Sequence, residues 1–251
     1  MEDKDRKIVI IIQARMRSVR LPGKVMLKVL GRPLLSYLVE RVRKVENADE
    51  VVIATTVSAE DQAIVEFCET HQHPVFRGNE EDVLDRYLQA ARQYSADVIV
   101  RITADCPLID PIVINNVIQF FLDHDYDYVS NMLTPTYPRG MDVEVFSIEV
   151  LEKTEKAAMK KSDREHVTLF MYRHPEIFRL ANVPYKEDFS KYRFTVDTQE
   201  DYILIQRILE ALCPTKRDFV FEDVLDLLKK NPGLAQINAH IQQKPIEEHE
   251  I

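Results

Sequence analysis

The stretch Gln13–Lys24, QARMRSVRLPGK, sets four cations (Arg15, Arg17, Arg20 and Lys24), the hydroxyl of Ser18 and the turn pair Pro22-Gly23 directly after the apolar run Ile8–Ile12. These residue types hold phosphate. Arginine offers a planar fork of donors, lysine offers a compact charge, and glycine lets backbone N–H groups approach an oxyanion. No acid interrupts these twelve residues, although the chain as a whole carries 33 Lys+Arg against 42 Asp+Glu, a net charge of -9. A cationic loop in an acidic chain suits a small phosphorylated ligand. Nucleic acid is not expected as a partner, because it needs a broad basic face. The plainer alternative is a solvated loop joining a strand to a helix. A Walker loop is excluded, because Ser18 and Val19 stand where its first glycine belongs and Val25 follows Lys24; a GxGxxG fingerprint is absent too.

Two carboxylates stand at comparable places. Asp105 follows the strand-like run Val98–Ile102 in RITADCPLIDP, and Asp197 follows the extended segment Tyr192–Val196 in FTVDTQED. Mg²⁺ takes one or two protein carboxylates and fills its other positions with water and substrate phosphate oxygens. Each acid also has a structural alternative. Asp105 would cap a helix starting at 111, a task open equally to Asp110, and Asp197 would be the N-cap of a helix over 199–212.

Further polar groups cluster in three places. Gly78 and Asn79, in RGNEEDVLDR, either reach a base or ribose, or Asn79 only caps a helix beginning at Glu80. Arg139 and Asp142, in YPRGMD, and Arg164 and His166, in DREH, supply groups for a second substrate: arginines for a carboxylate, an imidazole for a hydroxyl. Surface ion pairs and a satisfied helical histidine are the competing readings. Cys68, His71 and His73 lack the second ligand pair that a zinc site needs, and read as a half-buried thiol beside two exposed imidazoles.

The elements that must position these groups follow from periodicity. Short apolar runs at Ile8–Ile12, Val51–Ala54, Val98–Ile102 and Tyr128–Val129 alternate with segments whose apolar residues recur every three or four positions, from Leu34 to Val45, Ala63 to Cys68 and Val83 to Ala91. That alternation predicts an α/β fold, a mostly parallel sheet flanked by helices, with ligands beyond the carboxyl ends of the strands. The second half predicts a strand at Asp142–Phe146, helices at about 148–161 and 163–173, and extended segments at 178–183 and 192–196. Further helices are predicted at 200–212 and 222–230, then a frayed tail over the last ten residues. Ser162 and Glu165 read as a capping box.

Composition sets the outer limits. The chain has 251 residues, 45% of them hydrophobic and 30% charged, which suits one domain over 1–251 with a protruding subregion near 132–175. Three cysteines, Cys68, Cys106 and Cys213, suit reduced thiols. The charged opening MEDKDRK and the lack of an apolar run of roughly eighteen residues predict no membrane partner and a cytoplasmic location.

At these motifs the chain resembles a known family. IIQARMRSVRLPGKVM resembles the opening of the bacterial sugar cytidylyltransferases, such as the 3-deoxy-manno-octulosonate and acylneuraminate enzymes. RGNEEDVLDRY, RITADCPLIDP, RGMDVEVFS, DREHVT and FTVDTQED follow in the order of the spore-coat polysaccharide branch. The resemblance spans about residues 7 to 212. It implies a nucleotide-diphospho-sugar transferase fold with a Rossmann-like sheet, CTP as nucleotide donor, Mg²⁺, an acidic sugar as acceptor and a homodimer. It places Ala14 against the base, and Arg15, Ser18, Arg20 and Lys24 on the triphosphate. Asp105 and Asp197 fall on the metal, so Lys24, Arg20 and Asp105 would carry catalysis. Gln13 departs from the proline common in that pattern, and RITADCP replaces the octulosonate enzymes' QGDEP. Two other readings stay open: a glycosyltransferase using Asp125-Tyr126-Asp127 as a metal-binding DxD, and a nucleotide-binding protein without chemistry.

Overall fold

Five consecutive branched apolar residues, Ile8–Ile12, cannot face water on either side, and β1 (Ile8–Gln13) lies inside a seven-stranded sheet. The computed structural model describes residues 6–243. In chain order β1 is followed by the two-residue strands β2 (Lys28–Val29) and β3 (Arg32–Pro33), then α1 (Leu34–Val42), β4 (Glu50–Thr56), α2 (Gln62–Thr70), β5 (Val75–Gly78), α3 (Val83–Gln93), β6 (Val98–Thr103) and α4 (Pro111–Asp123). The second half contains β7 (Tyr128–Ser130), β8 (Glu144–Ser147), α5 (Ile148–Ala157), α6 (Lys161–His166), α7 (Leu169–Arg173), β9 (Leu180–Asn182), α8 (Gln199–Leu212), α9 (Phe221–Lys230) and α10 (Pro232–Gln236).

The sheet order is β5-β4-β1-β6-β8-β7-β9, and only β8 runs against the rest. Successive side chains of β1 point to opposite faces. Ile8, Ile10 and Ile12 meet α1, α4, α8 and α9, whereas Val9 and Ile11 meet α3 and α5. The expected α/β architecture with helices on both faces is therefore present. No helix of the described residues is long and apolar enough to cross a membrane.

After β1 the chain builds outward through β4 and β5, then returns to place β6 on the other side of β1. Such a reversal leaves a crevice beyond the strand ends. Here it is visible in the last hydrogen bonds: Ala14 N–H donates to Ala54 O at 3.1 Å, whereas Ala104 N–H donates to Gln13 O at 2.9 Å. The loops after β1 and β6, which carry Lys24 and Asp105, diverge from this point.

Several expectations for the second half are corrected. The helix predicted to 161 ends at Ala157, and the one predicted over 163–173 is two short helices parted at Val167, whose φ of +59° no helix accepts. The Ser162–Glu165 capping box does not form; Lys160 is the N-cap, and the buried Ser162 hydroxyl has no partner among the described residues. Residues 192–196 make no strand but one bridge, Arg139 to Arg193. The stretch 132–175 supplies β8, an interior strand, as well as α5 to α7. Of the tail expected to fray, all but Gln242 and Gln243 lies outside the described residues.

That single bridge depends on Gly140. Its φ is +102°, and a Cβ there would lie 2.6 Å from both Phe194 C and Thr195 N. Both the conformation and the contact are closed to larger residues. Gly140→Ala is expected to cost about 2 kcal/mol or more, read as a lower urea midpoint at unchanged m-value.

Candidate active site

The loop after β1 doubles back on itself, with Gly23 N–H donating to Met16 O at 2.8 Å and Gly23 in the left-handed region at φ +69°. This turn directs Lys24 inward across the crevice. Its ammonium donates to Asp105 Oδ2 and to Asp197 Oδ1, at 2.7 Å each. Two acids separated widely in sequence therefore share one cation.

Charge and burial work against each other here. Burial opposes ionisation of Asp105, but Lys24 and the hydroxyl of Thr103, which donates to Asp105 Oδ1 at 2.6 Å, overcome it and bring the pKa down to about 2. Asp197 is likewise lowered: burial and Asp105 raise it, and Lys24 and Arg20 outweigh them. For Lys24 burial is again the opposing effect, and the two carboxylates raise its pKa despite it. All three groups are charged at neutral pH. Arg20 approaches Asp197 Oδ2 at 3.0 Å and Arg193 reaches the same oxygen at 2.5 Å.

The structural alternatives for the two acids are filled by neighbours. Asp110 caps α4 by accepting from Ile112 N–H at 2.8 Å. Thr198 caps α8 in a capping box with Asp201. Asp105 and Asp197 are thus free of helix capping and face Lys24. No group of three or more His, Cys, Asp or Glu fit to hold a metal occurs among the described residues. A pair of ionised carboxylates suits an ion that takes its other ligands from water and phosphate. Cys68 is fully buried rather than half-buried, its thiol pushed up to about 12 by burial.

Around this centre the other candidates divide. Ala14 is buried at the end of β1, and Arg15 stands 4.0 Å from Glu165. Ser18 is partly exposed in the same loop. Asn79 Oδ1 accepts from Glu81 and Asp82 N–H, so it shapes the loop; the helix starts later, at Val83, capped by Asp82. A Cβ on Gly78 would meet Phe76 and Arg86 side chains at 2.7 and 2.9 Å. Arg164 is engaged by Asp82 at 2.6 Å and Glu155 at 3.4 Å, the ion-pair alternative. Among the described residues the Arg139 side chain has a 3.4 Å pair with Asp142, and it is more exposed. Burial lowers the His166 pKa; Glu165 opposes this and Arg101, Arg173 and Arg15 add to it, leaving the imidazole neutral at pH 7. Asp125 and Asp127 both pair with Arg179 before β7, at the edge of the sheet away from Lys24.

Sequence reasoning missed several groups. Arg193 grips Asp197 and the buried Asp201, and Asn238 donates to Asp201 Oδ1 at 2.8 Å. Arg101 on β6 pairs with Glu144 on β8, whose carboxylate also accepts from Tyr128 at 2.7 Å. Asp61 is 1% exposed; its Oδ1 accepts from Met16 N–H at 2.6 Å, and its Oδ2 accepts from the Thr56 N–H and hydroxyl. It anchors the cationic loop to the end of β4. The only sequence signal was an acid at the start of an amphipathic run, which reads as ordinary first-turn placement.

Asp61→Ala leaves Met16 N–H unpaired and is expected to cost about 2 kcal/mol. It should also raise the apparent KM for a nucleoside triphosphate more than that for the second substrate, in steady-state kinetics. A second expectation concerns pH. Burial, reinforced by Glu144 and Asp105 against Arg139 and the Gly140 N–H, raises the pKa of Asp142 to about 6. The folded chain therefore holds this proton more tightly than the unfolded chain, and stability attributable to Asp142 falls as pH rises through the window from the ordinary carboxylate range to about 6. Melting curves of Asp142→Asn should lose that decline, worth at most about 3 kcal/mol.

Comparison with known proteins agrees with this geometry. The cytidylyltransferase family profile matches residues 9–246. An uncharacterized protein of Methanocaldococcus jannaschii is 40% identical over 246 residues, covering 97% of this chain and 99% of its own. The spore coat polysaccharide biosynthesis protein SpsF of Bacillus subtilis is 35% identical over 237 residues, covering 91% and 96%. Among solved structures, a cytidylyltransferase from Leptospira borgpetersenii superposes with a TM-score of 0.88 at 35% identity, covering 92% of this chain and 97% of that one. With a cationic loop and two aspartates, one after β6 and one just before α8, meeting at the switch point of an α/β sheet, the chain belongs to the cytidylyltransferase family.

Proposed function

We infer that this chain moves CMP from CTP to the hydroxyl of an acidic sugar and releases pyrophosphate, for surface polysaccharide synthesis. The observation that carries this reading is the bridge from Lys24 to Asp105 and Asp197, with Arg20 alongside. The Arg15, Ser18, Arg20 and Lys24 donors surround the place where a triphosphate tail leaves the end of β1. Ala14 faces the base, and the 78–79 turn borders it. Asp105 and Asp197 would hold Mg²⁺, which when bound would neutralise phosphate oxygens whose charge rises as the bond breaks.

The chain's own residues then have separable tasks. Lys24 keeps the two carboxylates ionised and together, and its flexible stem lets the ammonium turn a donor toward the departing pyrophosphate. Arg20 adds a second cation on that side. The acceptor oxygen forms a bond to the α-phosphorus while the bond from that phosphorus to the pyrophosphate oxygen breaks, so no side-chain nucleophile is needed. Positioning and electrostatic stabilisation carry the rate. Arg139 and the neutral His166 serve the acceptor's carboxylate and hydroxyl, with Asp142 fixing Arg139. Arg164 supports that pocket through Asp82 and Glu155. A reduced cytoplasmic setting, suggested by three free cysteines, and a homodimer complete the proposal.

The test is a pyrophosphate-release screen crossing the common nucleoside triphosphates with acidic sugars. CTP with one acidic sugar should give turnover that a chelator abolishes. Release of free nucleoside diphosphate from a nucleotide sugar would support a glycosyltransferase, and metal-dependent CTP binding without turnover would support a non-catalytic protein. Lys24→Ala or Arg20→Ala should lower kcat by about 10²–10³ with a much smaller change in acceptor KM. Equal losses in both would count against the assignment.

A further inference from the structure

A second recess, about 200 Å³ in volume, opens between α1 and the connection from Cys213 to Phe219; none of its lining residues belongs to the crevice described above. Its walls carry four cations, Arg32, Arg41, Lys44 and Arg217, and one acid, Glu40. Glu40 accepts from Arg32 at 2.5 Å and from Arg217 at 2.7 Å, so that trio retains one positive charge. Lys44 is neutralised by Asp218.

Arg41 makes no such ion pair among the described residues. It is 6% exposed, and its Nε and Nη1 donate only to the backbone oxygens of Ile109 and Phe219, at 2.7 and 3.0 Å. Its Nη2 finds no acceptor among the described residues. Asp110, the acid that acts on it most, spends its two oxygens on the N–H groups of Ile112 and Phe221. Asp110 therefore offsets the Arg41 charge from a distance without a direct hydrogen bond, and burial still outweighs it and lowers the Arg41 pKa. Against the four cations stand Glu40, Asp218 and Asp110, so one cationic charge is in excess, and it lies on the Arg32–Glu40–Arg217 trio at the rim. Its remaining surface is aromatic and apolar: Arg41 lies over the Phe219 ring at 4.2 Å, and Arg32 over the Tyr37 ring at 4.8 Å.

We propose that this recess is a binding site for a compact carboxylate with a flat apolar body, its carboxylate meeting the Arg32 and Arg217 cations at the rim, with the buried Arg41 adding positive charge from beneath, and its ring lying against Tyr37 and Phe219. Cavities of about 150 Å³ already admit benzene, so the space suits one ring and its acid group. An inorganic phosphate is more strongly hydrated and loses that hydration against apolar walls. The site is joined to the crevice through Arg41, whose Nε holds the carbonyl of Ile109 in the loop between Asp105 and α4.

The test uses the full chain and benzoate as probe, with acetate and inorganic phosphate as comparisons. Benzoate should raise the melting temperature along a saturating curve, as a ligand of the native state must. The rise should be unchanged in Lys24→Ala and lost in Arg32→Ala/Arg217→Ala. If that double variant is too unstable to titrate, Arg217→Glu should weaken benzoate binding about ten-fold or more. No rise in the wild type, a rise that the rim variants keep, or one that Lys24→Ala removes would overturn the site. A rise of equal size with acetate, or a phosphate rise that Arg32→Ala/Arg217→Ala removes, would overturn the ring-bearing class of ligand.

Discussion

Two carboxylates cannot face one another in a half-buried crevice unless a cation holds them, and in this protein that cation is the Lys24 ammonium, 2.7 Å from Asp105 and from Asp197. Buried ion pairs often contribute little net stability, because desolvation offsets attraction, but removing one partner leaves the others uncompensated. The trio therefore matters chiefly for where it puts charge. It keeps two acids ionised at the end of a buried sheet, where water alone would not.

The trio needs its three chain segments locked together, and backbone contacts do most of this. Asp105 O accepts from Val196 N–H at 2.8 Å and from the Thr195 hydroxyl at 3.2 Å, tying the loop after β6 to the segment carrying Asp197. Phe194 N–H donates to Arg139 O at 2.6 Å, fastening that same segment to the Gly140 turn. Arg193, almost fully buried between Asp197 and Asp201, fixes it from beneath. Asp61 does the equivalent for the cationic loop through Met16. Anions and cations thus arrive from different loops, yet none of those loops is free to drift.

The polar groups proposed for the second substrate sit on a less regular frame. Val167 at φ +59° breaks what would have been one helix, and the break lets the Thr168 hydroxyl donate to Glu144 at 2.5 Å. Glu144 in turn holds Arg101. The buried network at the join of β6, β7 and β8 gives the antiparallel strand a defined register beside the parallel ones. His166 and Arg139 extend from elements that this network braces.

The parallel core was readable in residue order, because apolar runs and helical spacings report directly which faces must leave water, and β1, β4, β6, α1, α3 and α8 follow them closely. The cationic loop was equally legible as a loop: four cations and a Pro-Gly turn follow a buried strand, and the structure brings two of them, Arg20 and Lys24, against the aspartates. Contacts across long sequence distances were not legible. Periodicity carries no information on whether Asp197 caps a helix or faces Lys24, and only the folded chain, by giving Thr198 the cap, decided it. The same holds for Arg164, Asn79 and Asp61, whose partners were set by packing. The helix break at Val167 and the missing strand over 192–196 escaped for a related reason. There local preference yielded to hydrogen bonds made with segments far along the chain, and such bonds exist only once the tertiary structure has formed.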